Sequence, residues 1–169
     1  MENRSNGEIS VCELPLMRVA SCFTTSRSPE AEVIQFMQKW ASQRGLDFNK
    51  LRKFGFDIPV SEEQKKYGLR SYEFWLSVPD NIEQLPDGIK LKFVNPAKYA
   101  KLRIKNPFVE SQAKIRAGWN MLTDWVSVHK ISNGNGDAED EEDDDEKYIL
   151  EEIIESKEGT FIDLYFPMK

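Results

Sequence analysis

Trp40 and Trp125 lie in two short phrases, FMQKWAS and MLTDWVS, that agree at the Trp and at the Ser two residues later. Upstream of each lies a strand-like segment containing proline, CELPLMRVASCFT in one case and VNPAKYAKLRI in the other. Downstream of each lies a strand ending in proline, YEFWLSVP and then TFIDLYFP. The spacings agree: 25 residues from Pro15 to Trp40 against 29 from Pro96 to Trp125, and 39 from Trp40 to Pro79 against 42 from Trp125 to Pro167. An order kept in this way constrains the fold more than any other feature. It calls for one module used twice, in pseudo-repeats of about 9–79 and 89–168. At 169 residues the two fit within a single domain spanning 1–169.

Each half reads as β-α-β-β. Ser28-Pro29-Glu30 starts a helix, with a capping residue, a proline in the first turn and an acid at the positive end of the dipole. Val33, Phe36, Met37, Trp40 and Ala41 follow at helical spacing as one apolar face, and Gly45 supplies a stop. Ile115, Gly118, Leu122, Trp125 and Val126 make the corresponding face of the second half. RKFGFDI precedes the YEFWLSV strand as YILEEII precedes FIDLYF. The expected class is α+β: an antiparallel sheet with two main helices on one face, its other face free to be a cleft. No Gly-rich turn joins a strand to a helix, so a nucleotide-binding fold is not expected.

The formal charge of −6 is a local property. Nine of the 29 acids stand in DAEDEEDDDE, residues 137–146, and the remainder of the chain is slightly basic. Such a block repels itself, and ISNGNG before it is linker chemistry, so residues 132–146 are expected to form an exposed, disordered loop. The block lacks the spaced ligands and central glycine of a calcium loop. Cys12 and Cys22 form no CxxC pair and His129 is the single histidine, so no metal site and no cofactor is expected. The apolar runs are too short to span a membrane, and the first residues have no signal-peptide core, so a cytoplasmic location is expected.

Strand alternation assigns faces. Phe74, Leu76 and Val78 share one face, and Ile162, Leu164 and Phe166 share its counterpart; these suit the helices. Glu73, Trp75 and Ser77 share the other face, matched by Phe161, Asp163 and Tyr165. In YILEEIIES one of Glu151 and Glu152 falls on each face, and the sequence leaves open which. An acid among aromatic rings suits an organic cation, or serves as a general base if burial raises its pKa.

Several phrases taken together resemble the gyrase-inhibitor-like (GyrI-like) small-molecule-binding family: KFGFDIP, YGLRSYEFWLSVPD, VNPAKYAKLRI, GWNMLTDWV, YILEEI and FIDLYFPMK. That family also forms the effector-binding domain of multidrug-sensing transcription regulators. The resemblance runs from about residue 9 to 169. It implies a duplicated β-α-β-β module with a curved sheet and a ligand cleft between the halves, and a functional Glu in a short phrase ahead of the last strand. LEEI aligns with that phrase so that Glu151 is the matching acid, facing the cleft. By the same resemblance Tyr72, Glu73, Trp75, Tyr99, Trp119 and Trp125 are candidate pocket wall, with Tyr165 and Phe56 as further candidates. Regulators of this kind carry a helix-turn-helix reader; here the domain fills the chain, no basic stripe with interleaved aromatics occurs, and DNA binding is not expected.

The expected function is therefore the binding of a lipophilic small molecule, cations among them, in an aromatic cleft with Glu151 as counter-charge. The alternative is hydrolysis of strained electrophiles, cyclopropane- or epoxide-like, with Glu151 activating water and Tyr72 or Tyr99 positioning the leaving group. A third expectation is a protein partner met by the acidic block.

Overall fold

In the computed structural model the chain divides into two compact units. One, the N unit, is Leu16–Val94; the other, the C unit, joins Met1–Pro15 to Asn95–Lys169. The structure describes residues 8–105, 107, 111–132 and 148–168. The acidic stretch 137–146, and nearly all of the loop expected over 132–146, lies outside the described residues.

The N unit contains strand β2 (Met17–Ser26), helix α1 (Pro29–Gln43), a 3-10 turn (Phe48–Lys50), strand β3 (Lys53–Ile58), the short helix α2 (Glu62–Lys66), strand β4 (Arg70–Ser77) and strand β5 (Lys90–Val94). The C unit contains strand β1 (Ser10–Leu14), strand β6 (Ala97–Lys105), helix α3 (Ser111–Ser132), strand β7 (Leu150–Ser156) and strand β8 (Gly159–Pro167). The strands of the N unit lie in the order β3-β4-β2-β5 and those of the C unit in the order β7-β8-β6-β1. Neighbours within each unit are antiparallel. The β-α-β-β module expected from sequence is thus present in each unit as β2-α1-β3-β4 and β6-α3-β7-β8. Because β4 lies between β2 and β3, α1 carries the chain across the place that β4 fills.

Each proline-containing segment was expected as one strand, and each forms two. β1 ends at Leu14 before Pro15 and pairs with β6; β5 ends at Val94 before Asn95-Pro96 and pairs with β2. Proline has no N–H to give to a ladder, so a strand breaks there. The first strand of each sequence repeat consequently pairs within the other unit, and the compact units differ from the repeats by one strand each.

One face of each sheet is covered by its helix. In the N unit Val33, Met37, Trp40 and Ala41 pack with Ala20, Cys22, Tyr72, Phe74 and Leu76. Phe36, expected on this stripe, is exposed, because it stands at the margin of the arc that Val33, Met37 and Ala41 define. In the C unit Leu122 and Val126 pack with Ala100, Leu102, Ile104 and Leu164, and Ile115, Trp119 and Trp125 close the margin. Burying each large side chain in these clusters contributes roughly 1.5–3 kcal/mol. In proteins most helical stability comes from packing an apolar face of this kind rather than from propensity. Gly118 permits the close approach of α3: a Cβ there would lie 2.9 Å from Ile104 Cδ1 and 3.0 Å from Leu164 Cδ1.

Candidate ligand-binding faces

The register of the C unit decides which glutamate shares a face with the rings. β7 and β8 form a continuous hairpin from Ser156↔Gly159 back to Leu150↔Tyr165. Directly opposed residues point to the same side. Glu152 opposes Asp163 and so stands with Asp163 and Tyr165. Glu151 opposes Leu164 and stands, half-buried, on the side of the aliphatic residues. The sequence leaves open which glutamate takes which side; the pairing puts Glu152 on the mixed aromatic and acidic side and Glu151 on the other. No bulge interrupts the two-residue alternation, and the short turn at Lys157-Glu158 locks it.

Glu152 is buried, and Tyr165 donates its hydroxyl hydrogen to Glu152 Oε1 at 2.6 Å. Tyr99, buried on the neighbouring strand β6, meets the Tyr165 ring edge-on, with centroids 5.8 Å apart. Burial pushes the Tyr99 phenol above its ordinary value; a hydrogen bond from the Tyr148 backbone works the other way, and nearby Cys12 adds to the rise. Beside them Asp163, with no exposed surface, accepts two hydrogen bonds from Arg103, at 2.8 Å from Nε and 3.0 Å from Nη2. Lys101 Nζ stands 3.8 Å from the same carboxylate. The Arg103 guanidinium is held still more firmly in its charged form, first by the hydrogen bond to Asp163 and further by the charges of Asp163, Tyr165 and Glu152, against a partial loss of hydration. It also lies 4.9 Å over the Phe161 ring. Two acids and two bases therefore share this face: Asp163 is bonded to Arg103, and Glu152 accepts from Tyr165 and adds its charge to the surroundings of Arg103.

The N unit has a different arrangement. Phe23, Glu73 and Phe56 form one row across β2, β4 and β3, and Ser21, Trp75 and Phe54 form the next. Glu73 is buried, and one of its oxygens, Oε2, accepts three hydrogen bonds: from Ser21 Oγ at 2.9 Å, Trp75 Nε1 at 2.6 Å and Lys92 Nζ at 2.6 Å. The Lys92 ammonium lies 6.0 Å from the Trp75 ring centre. Phe56 meets Trp75 edge-on at 5.2 Å.

The sequence candidates thus fall into three groups. Glu73, Trp75 and Phe56 come together in the N unit, and Tyr99 and Tyr165 come together with Glu152 in the C unit. Tyr72 lies in the helix-side core of the N unit, with its ring against Gly55. Trp119 and Trp125 pack against the helix-side core of the C unit, where Trp125 stacks on His129 at 3.7 Å. Sequence reasoning missed Glu152 as the ring-side acid, and with it Ser21, Lys92, Lys101 and Arg103. The signal for two of these was present: Lys101 and Arg103 alternate with Leu102 and Ile104, a period of two that puts both bases on the side away from the helix. Among the described residues no cluster of three His, Cys, Asp or Glu side chains is placed to hold a metal ion, and no helix is long and apolar enough to cross a membrane.

No protein-family model and no curated protein matches the chain. Solved structures do. The cryo-EM structure of the EcmrR–DNA complex in EcmrR-RPo matches with a TM-score of 0.64 at 14% identity, over 95% of this chain. This chain spans only 56% of the length of that one. The crystal structure of the EcmrR C-terminal domain matches with a TM-score of 0.63 at 14% identity, over 96% of this chain and 97% of that domain. At this identity the likeness is one of fold alone, the GyrI-like fold.

Proposed function

We propose that the chain binds lipophilic small molecules, organic cations among them, and that Glu152 rather than Glu151 supplies the counter-charge in the C unit. The observation that carries this reading is a buried carboxylate, Glu152, held at 2.6 Å by one tyrosine whose ring meets a second, Tyr99. A buried acid costs free energy that burial of an apolar residue would not, and rings beside it attract cations. Arg103 makes its two hydrogen bonds to Asp163, so an incoming cation would share Glu152 with the partners that it already has. Tyr165 orients Glu152 and competes little with a ligand, because a carboxylate oxygen accepts more than one donor. The fold likeness to an effector-binding domain supports the same reading.

Crystal violet, a triaryl cation, and its uncharged leuco form are matched in size and test this. The wild-type chain should prefer the cation. Glu152→Gln should weaken it by roughly tenfold to a hundredfold, the loss of one charge-assisted contact, and leave the leuco form nearly unchanged. Equal loss for both forms would count against the reading.

The Glu152–Tyr165 contact also fits a hydrolase. With an aryl epoxide, Glu152 would take a proton from water as the water oxygen bonds to the ring carbon. The C–O bond breaks, the leaving oxygen takes the Tyr165 proton, and the proton gained by Glu152 passes back to Tyr165. Formation of diol by the wild type and its loss in Glu152→Gln would favour this second reading; an epoxide recovered intact would remove it.

A further inference from the structure

The Glu73 carboxylate is unevenly served. Oε2 accepts from Ser21, Trp75 and Lys92, while Oε1 has no donor among the described residues. The side chain is 10% exposed, so water reaches it poorly. An acceptor left unmet in such a place is costly, and three donors on one oxygen fix the orientation of the other. Phe23 and Phe56 flank Glu73 directly in the ladder, within side-chain reach on either side. Phe23 is 60% exposed, an unusual position for a large ring on the same side as a buried acid. An acceptor in a ladder row with two phenylalanines suits an aromatic hydrogen-bond donor.

Lys92 decides what charge such a donor carries. Its ammonium touches Glu73 at 2.6 Å and lies near the Trp75 ring, so it supplies from within the chain both contacts that a bound organic cation would make. Its side chain is 34% exposed on β5, at one end of the N unit sheet, and can be altered without opening the core.

We propose that the N unit carries a ligand site in which Lys92 is a built-in cation. The site takes uncharged aromatic hydrogen-bond donors such as phenols, aryl alcohols or anilides, with the donor on Glu73 Oε1 and the ring beside Phe23 and Phe56. Removing the Lys92 charge converts it to a site for aromatic cations. This rests on the reading that the chain binds small molecules, but on a different acid from Glu152.

Calorimetric titration of the full chain with 2-naphthol, 2-methoxynaphthalene and (2-naphthyl)trimethylammonium tests it. The wild type should bind 2-naphthol about tenfold more tightly than the methoxy compound, which lacks the donor. Lys92→Met should tighten the cation by about tenfold or more, Lys92→Arg should not, and adding Glu73→Gln to Lys92→Met should cancel the gain. The gain should persist in a Glu152→Gln background. A gain lost in that background assigns the cation to Glu152 and overturns the proposal while leaving the general reading intact. Equal binding of naphthol and its methyl ether, no gain in Lys92→Met, or no binding of any probe overturns it as well. Lys92→Gln replaces Lys92→Met if the latter does not fold.

Discussion

At the scale of single residues, the asymmetry between partners of unequal burial matters most. Asp163 has no exposed surface, whereas the Arg103 side chain is 39% exposed. Arg103→Met leaves a buried carboxylate with only Lys101 at 3.8 Å, and should cost about 3–5 kcal/mol in urea unfolding. Asp163→Asn frees an arginine that can turn toward water, and should cost distinctly less. Equal losses would show that Asp163 is better hydrated than its burial implies. The acids of LEEI show how far a sequence goes at this scale. That one glutamate would meet the rings was legible from alternation; which one was not. The choice depends on where the β7–β8 hairpin turns, and a one-residue slip exchanges Glu151 for Glu152. Similarity to a family phrase suggests Glu151 as the functional acid, whereas the ladder puts Glu152 on the side of the rings. Lys92 was illegible for a different reason: its partner Glu73 lies on β4, and a third strand, β2, separates the two in the sheet.

At the scale of elements, the contact of Tyr72 with Gly55 joins β3 to β4. A Cβ at residue 55 would lie 1.8 Å from the Tyr72 hydroxyl oxygen and 2.3 Å from the ring carbon that bears it. A ring cannot move aside as the end of an aliphatic chain can. Gly55→Ala should therefore destabilise by about 2–3 kcal/mol, toward the upper end for overpacking. In a double-mutant cycle, Tyr72→Leu should return at least about 1 kcal/mol of that loss. Additive losses would mean that the ring does not occupy the space over Gly55. The conformational reason for this glycine could not be read from KFGFDI, since the partner that fills its place lies 17 residues on and its direction depends on register. The helices were more legible. Pro29 in the first turn and the apolar spacing of Val33, Met37, Trp40 and Ala41 determine both the start and the buried face of α1.

At the scale of the whole molecule, the β-α-β-β order within each unit was legible from hydrophobic period and proline position. The pairing of β1 and β5 was not legible, since nothing local to a five-residue strand names its partner. A titration should report on both units. Burial, aided by Glu73, raises the Cys22 thiol in the N unit, and burial raises the Tyr99 phenol in the C unit. Above the ordinary thiol value of about 8.5 the unfolded chain gives up a proton that folded Cys22 keeps, so the unfolded state binds fewer protons and stability falls as pH rises. Tyr99 adds a fall of the same sign from about pH 10. Urea melts should show a shallower decline in Cys22→Ala over the first range and in Tyr99→Phe over the second; unchanged slopes would place both groups in contact with water. The account depends most on which acid meets the ligand, and calorimetric titration of crystal violet into the wild type, Glu151→Gln and Glu152→Gln addresses that directly. It predicts affinity near the wild-type value for Glu151→Gln and a loss of roughly tenfold or more for Glu152→Gln; the reverse order would contradict it.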